Sequence, residues 1–168
     1  MDAQELKALQ GPLKDAYRDN AASALITLRA RGAVDDQSIS CKIDTGRALL
    51  TAGLHPATGG TGLELCSGDM LLEALVACAG VTLRAVATAL EFRLGEAVVS
   101  AEGDLDFRGT LGVTRDAPVG FRAIRLGFKL DTDEPQERID ALVKLTERYC
   151  VVFQTLAVRP ELSVTVQG

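Results

Sequence analysis

The chain has 168 residues, 47% of them hydrophobic and 24% charged, and a net charge of −5. That composition suits one compact soluble domain and excludes a disordered one. With no run of lysine or arginine it also argues against a nucleic-acid surface, because holding phosphates takes clustered positive charge.

The opening stretch MDAQELKALQGPLKDAY is charged throughout and has no apolar core of the kind a secretory signal needs, so a cytoplasmic protein is expected. Residues 2–10 and 12–18 read as two short helical pieces broken at GP, since proline opens a helix but does not sit well inside one. Leu6, Leu9, Leu13 and Tyr17 recur at spacings of three and four and give an apolar stripe. Residues 1–20 are therefore taken as a helical arm and 21–168 as a single domain.

Three alternating segments follow. ALITLRAR sets Ile26, Leu28 and Ala30 against Thr27, Arg29 and Arg31; SISCKID turns Ile39, Cys41 and Ile43 inward; RALLTAGL offers Leu50, Ala52 and Leu54. Such alternation marks half-buried antiparallel strands, with DTG at 44–46 as the turn between the last two. Cys41 lies in the inward register and reads as core. HPATGGTG, residues 55–62, is a loop; its glycines lack the GK[ST] of a phosphate cradle.

A long helix is expected from about Ser67, its N-cap, to about Arg93, with a stop at Gly95. The window from Met70 to Leu90 approaches membrane-spanning length, but Glu73 and Arg84 inside it favour a buried central helix. Its polar residues Glu73, Arg84, Thr88 and Glu91 share one narrow face, because eleven residues make three turns. Two more strands follow, with Val99, Ala101, Gly103, Leu105 and Phe107 inward in the first and Ile124, Leu126, Phe128 and Leu130 in the second. DTDEPQERIDALVKLTERY is an amphipathic helix, CVVFQTL a short apolar one, and ELSVTV a closing strand. The order α-βββ-α-ββ-α-α-β is that of an α+β domain.

Four cysteines, Cys41, Cys66, Cys78 and Cys150, lack any C-x-x-C spacing, and His55 is the only histidine, so neither a zinc site nor any other metal or cofactor is expected. Cys78 and Cys150 both sit in apolar, helix-associated segments. Two readings stay open from the residues alone. They are buried core thiols, since cysteine packs as a small hydrophobe, or they meet and reduce a peroxide, one sulfur attacking the O–O bond and the other condensing with the sulfenic acid.

SGDMLLEALVACAGVTL together with LTERYCVVFQTL resembles the two cysteine motifs of the OsmC/Ohr family of organic hydroperoxide reductases, over roughly residues 24–167. The resemblance implies an antiparallel sheet wrapped around a long central helix, in an intertwined homodimer with active sites at the subunit interface. It implies Cys78 as the peroxidatic residue, Cys150 as the resolving one, an organic hydroperoxide as substrate and an external dithiol as reductant. Where the family carries a glutamate ten residues before the first cysteine this chain has Gly68, followed by Asp69, which is either its replacement or a first-turn acid. For the family's activating arginine the candidates are Arg31, Arg47 and His55, each also readable as a surface residue. Val151 stands where a proline often follows the second cysteine. Cys66, at the expected helix start, is an alternative resolving thiol or a loop cysteine without a role. A non-catalytic relative that binds a small ligand is the competing expectation.

Overall fold

Alternation does produce a sheet here, and one long helix packs against it. The computed structural model describes residues 3–34, 41–43, 53–63 and 66–166. Strands β1 (Leu25–Val34), β2 (Cys41–Ile43), β3 (Ala97–Asp106) and β4 (Ala123–Leu130) form an antiparallel sheet in the order β2-β1-β3-β4. Register pairs Leu28 with Gly103 and Arg31 with Ser100 across β1 and β3, and Ala101 with Leu126 across β3 and β4. On β3 the inward set Ala97, Val99, Ala101, Gly103 and Leu105 is buried as the alternation predicts. Phe107 is buried too, as expected, but not as part of the strand: it begins a one-turn helix, α3 (Phe107–Thr110), because the buried Asp106 carboxylate accepts the Arg108 N–H at 3.1 Å and ends the strand as a cap. Of the expected third strand, residues 47–52 lie outside the described residues, as does the DTG turn, and Gly53 and Leu54 are irregular.

Helix α2 (Ser67–Ala89) packs against β1 and β3 on one side and against α4 (Gln136–Tyr149) and α5 (Val151–Ala157) on another. Leu72, Leu75, Val76, Ala79, Leu83 and Ala87 form its buried face, joined by Val99 and Leu105 from the sheet and Leu142 from α4. Among the described residues α2 is the one helix long and apolar enough to cross a membrane, and 44% of its most apolar stretch is buried inside the protein. Gly103 marks a close approach of the sheet to Phe121 and to α2. A Cβ there would stand 2.4 Å from the Phe121 ring and 3.3 Å from Leu72 Cδ2.

Both ends of α2 differ from expectation. Its N-cap is Cys66, not Ser67: the thiol sulfur accepts the Gly68 N–H at 3.3 Å. Its C-terminus comes at Ala89, well before Gly95. Phe92 N–H returns to the Ala87 carbonyl at 2.8 Å and Glu91 N–H to Thr88 at 3.1 Å, with Glu91 at φ 48°. This is a Schellman ending, anchored by burial of Phe92, with glutamate in the left-handed position that usually takes glycine.

The N-terminal arm is also revised. α1 (Ala3–Asp19) runs unbroken through Pro12. Proline removes the hydrogen bond to the Ala8 carbonyl, but that turn is exposed and water can take its place. Tyr17 holds the arm down, buried and donating its hydroxyl to the Ala57 carbonyl at 2.7 Å. At the other terminus ELSVTV forms no strand. Residues 159–166 are irregular, and Leu162, Val164 and Val166 are exposed, because the segment finds no neighbouring strand for its backbone groups within the described chain.

Candidate functional site

Cys78 lies midway along α2, and Cys150 is the single residue between α4 and α5. The junction is built around that cysteine. Its N–H ends α4 on the Thr146 carbonyl at 2.9 Å, and its sulfur caps α5 by accepting the Phe153 N–H at 3.5 Å. Its φ of −72° and ψ of 106° turn the chain between the two helices. Since both helices pack on α2, the turn delivers the Cys150 sulfur to the middle of that helix. There it hydrogen-bonds to Cys78, 72 positions away in sequence.

The two thiols are unequal. Burial pushes Cys78 up, but the Val152 and Val151 N–H groups, the Cys150 S–H and the Thr82 hydroxyl all donate to its sulfur, and together they hold it below its ordinary value. Cys150 is fully buried, and burial is the main reason its thiol is pushed up to about 11. Donating to Cys78 and facing the charge on that sulfur raise it further, against the Phe153 and Val152 N–H groups. The arrangement favours the thiolate on Cys78 and the proton on Cys150. Both are free thiols.

The remaining candidates stand apart from this pair. Asp69 sits in the first turn of α2, about 13 Å of helix rise from Cys78. Burial raises its carboxyl, while His55 and the Cys66 N–H lower it. His55 caps the short turn Pro56–Thr58 through Nδ1, accepting the Ala57 N–H at 3.0 Å, and stacks on Phe107 with ring centroids 4.9 Å apart. Burial lowers its pKa, opposed by Asp69. Cys66 is occupied as the α2 cap. Arg31 lies on β1 with its side chain outside the described residues; Arg47 lies outside them altogether, and of Cys41 only the backbone is described. Among the described residues the groups acting on Cys78 are therefore neutral donors.

Three of these donors escaped the sequence reading. Thr82 is one turn beyond Cys78, a spacing that does bring two side chains together on a helix. It differs in use from Thr88, Thr146 and Thr155, each of which donates to the carbonyl four residues earlier. The Val151 and Val152 amides are backbone groups and leave no mark in the sequence.

An apolar cavity of about 520 Å³ is lined by Leu71 and Leu75 of α2, Phe121, Ile124 and Leu126 of the sheet side, and Phe153 of α5, with Arg122 also in its wall; neither cysteine lines it. Leu75 precedes Cys78 by about one turn and Phe153 follows Cys150 by the same interval. Among the described residues no group of three His, Cys, Asp or Glu side chains converges to hold a metal ion.

A family model described as OsmC-like protein matches residues 60–165. Among solved structures, the chain is similar to an OsmC-like hydroperoxide resistance protein from Jannaschia sp. CCS1, at 17% identity, covering 86% of this chain and 95% of that one with a TM-score of 0.61. It is also similar to an OsmC-like protein from Mycoplasma pneumoniae, at 16% identity, covering 79% and 85% of the two chains with a TM-score of 0.55. At these identities the likeness is one of fold. No curated protein matches the chain.

Proposed function

Because the chain belongs to the OsmC-like family, we propose that it is a thiol-dependent peroxidase that reduces organic hydroperoxides to alcohols, working in the cytoplasm as a homodimer. The observation that carries this reading is the hydrogen bond from the Cys150 thiol to the Cys78 sulfur, joining two cysteines of opposite acidity. The family match and the hydroperoxide resistance protein among its structural neighbours support it.

The chemistry runs as follows. The Cys78 thiolate attacks the terminal oxygen of the hydroperoxide; an S–O bond forms as the O–O bond breaks, leaving a sulfenic acid and an alkoxide. The alkoxide takes the Cys150 proton and departs as the alcohol. The Cys150 thiolate then attacks the sulfenic sulfur, forming the disulfide and expelling hydroxide. An external dithiol returns two electrons and regenerates both thiols. The apolar cavity suits the hydrocarbon part of such a substrate, and no metal or organic cofactor enters any step.

Mass mapping tests this directly. One equivalent of an alkyl hydroperoxide added to the reduced protein is expected to consume two thiols and link Cys78 to Cys150. A Cys78 that stays reduced under those conditions eliminates the peroxidase. The apolar cavity then favours the second reading, a family member that binds a small apolar ligand, for which Cys78→Ser leaves binding intact.

A further inference from the structure

The apolar cavity has one charge in its wall, and that charge is left without a counterpart. Among the described residues lining it only Arg122 is charged; the others are aliphatic, aromatic or glycine, with no hydroxyl or amide side chain. Leu71 is 37% and Leu156 39% exposed, so hydrocarbon surface lies open in a hollow of about 520 Å³. That volume falls in the range of small-molecule sites, and apolar surface left open in this way favours an occupant. Neither cysteine lines the cavity, so the occupant needs no reactive group.

Arg122 is placed to hold an anion there. Its N–H is fixed on the Asp104 carbonyl at 2.8 Å, which anchors the residue to β3 just before β4 begins. The neighbouring carboxylates are each engaged by another arginine. Asp106 accepts Arg108 Nε at 2.9 Å, and Asp104 pairs with Arg125 at 2.6 Å. Arg122 feels the Asp106 charge, yet among the described residues it is exposed and in no ion pair. Those two acids also decide which anion fits. One guanidinium matches one carboxylate, edge to edge. A phosphate dianion would need a second cation and would be repelled by Asp104 and Asp106.

We propose that the cavity is a binding site for an alkyl carboxylate, a single hydrocarbon chain ending in one carboxylate. The chain lies on Leu71, Leu75 and Phe153, and the carboxylate meets Arg122. This inference rests on the preceding reading's assignment of the cavity to hydrocarbon, but not on its redox chemistry.

Titration calorimetry with hexanoate, octanoate and decanoate, each below its micellar concentration, tests it, with octanol as the uncharged comparison. Affinity is expected to rise about 3- to 4-fold with each added methylene, as for a chain leaving water. Arg122→Gln is expected to weaken all three carboxylates by a common factor of about threefold or more and to leave octanol as it was. Lys129→Gln, which removes an exposed positive charge elsewhere on β4, is expected to change neither. Carboxylates that do not bind, or whose affinity ignores chain length, overturn the proposal. A loss on Arg122→Gln that octanol shares, or that Lys129→Gln matches, overturns Arg122 as the anchor. No probe here carries a peroxide. A protein that binds decanoate but whose Cys78 ignores hydroperoxide therefore sinks the peroxidase alone; one that reacts at Cys78 without binding decanoate sinks the carboxylate site alone.

Discussion

Two side chains of the same chemistry can differ by orders of magnitude in reactivity when one accepts hydrogen bonds and the other donates them. Cys78 accepts from two amides, a hydroxyl and a thiol, which favours its thiolate; Cys150 is buried and donates, which favours its proton. The sign of the pH dependence follows. The Cys78 thiolate persists below the ordinary thiol range of about 8.5, and its reactivity falls as pH drops through its own lowered value. Cys150 stays protonated until pH approaches 11. Alkylation by iodoacetamide across a pH series, read peptide by peptide, is expected to label Cys78 first at neutral pH and to reach Cys150 only in strong alkali. The reverse order would assign the nucleophile to Cys150. Removing the hydroxyl by Thr82→Val is expected to move the Cys78 profile upward and slow its labelling at neutral pH by about 3- to 10-fold, since one hydrogen bond to a charged group is being lost. At this scale the sequence singled out both cysteines, through the resemblance of their two motifs to a known family. It could not announce the activating groups, because two are backbone amides and the third is a threonine whose spacing fits an ordinary helix surface equally well.

Elements were legible wherever one physical signal ruled them. Alternation located β3 and β4, since β3 buries one side against α2 and β4 turns its half-buried set toward the same core, and the apolar length of α2 identified it as central. Where two signals competed the reading failed. Gly95 looked like the stop of α2, yet burying Phe92 ends the helix earlier and forces Glu91 to φ 48°. ELSVTV has the pattern of a strand, but pattern supplies no partner, and its apolar side chains stay exposed. The strained terminus is open to a direct test. A non-glycine residue in the left-handed region costs roughly 1–2 kcal/mol, whereas the Schellman hydrogen bonds are made by backbone alone. Glu91→Gly is therefore expected to stabilise the protein by about 1 kcal/mol in urea unfolding, the relief being partly offset by the greater freedom of glycine in the unfolded chain. A loss of stability would mean that the Glu91 side chain matters to the α2–α4 junction more than its backbone strain does.

At the scale of the molecule the proposed chemistry ties together parts of the chain that are otherwise joined only by packing. Cys78 belongs to the helix on which the sheet folds, and Cys150 to the turn that docks α4 and α5 onto that helix. A bond between them would close a loop of about 70 residues, which restricts the unfolded chain by roughly 4 kcal/mol in the chain-entropy account. For a domain of this size each kcal/mol moves the midpoint of melting by about 2–4 °C. The two thiols are already hydrogen-bonding neighbours in the reduced fold, which limits the native distortion set against that gain. The peroxide-oxidised protein is accordingly expected to melt about 10 °C above its reduced form, and Cys150→Ser, treated the same way, to show no such rise. The serine control matters because a sulfenic acid at Cys78 would persist without closing the loop. An oxidised wild type that melts no higher than the reduced protein would mean that forming the bond strains the α4–α5 turn by as much as it constrains the unfolded chain. The disulfide would then be readily reduced, as a bond that must be reopened in every catalytic cycle requires.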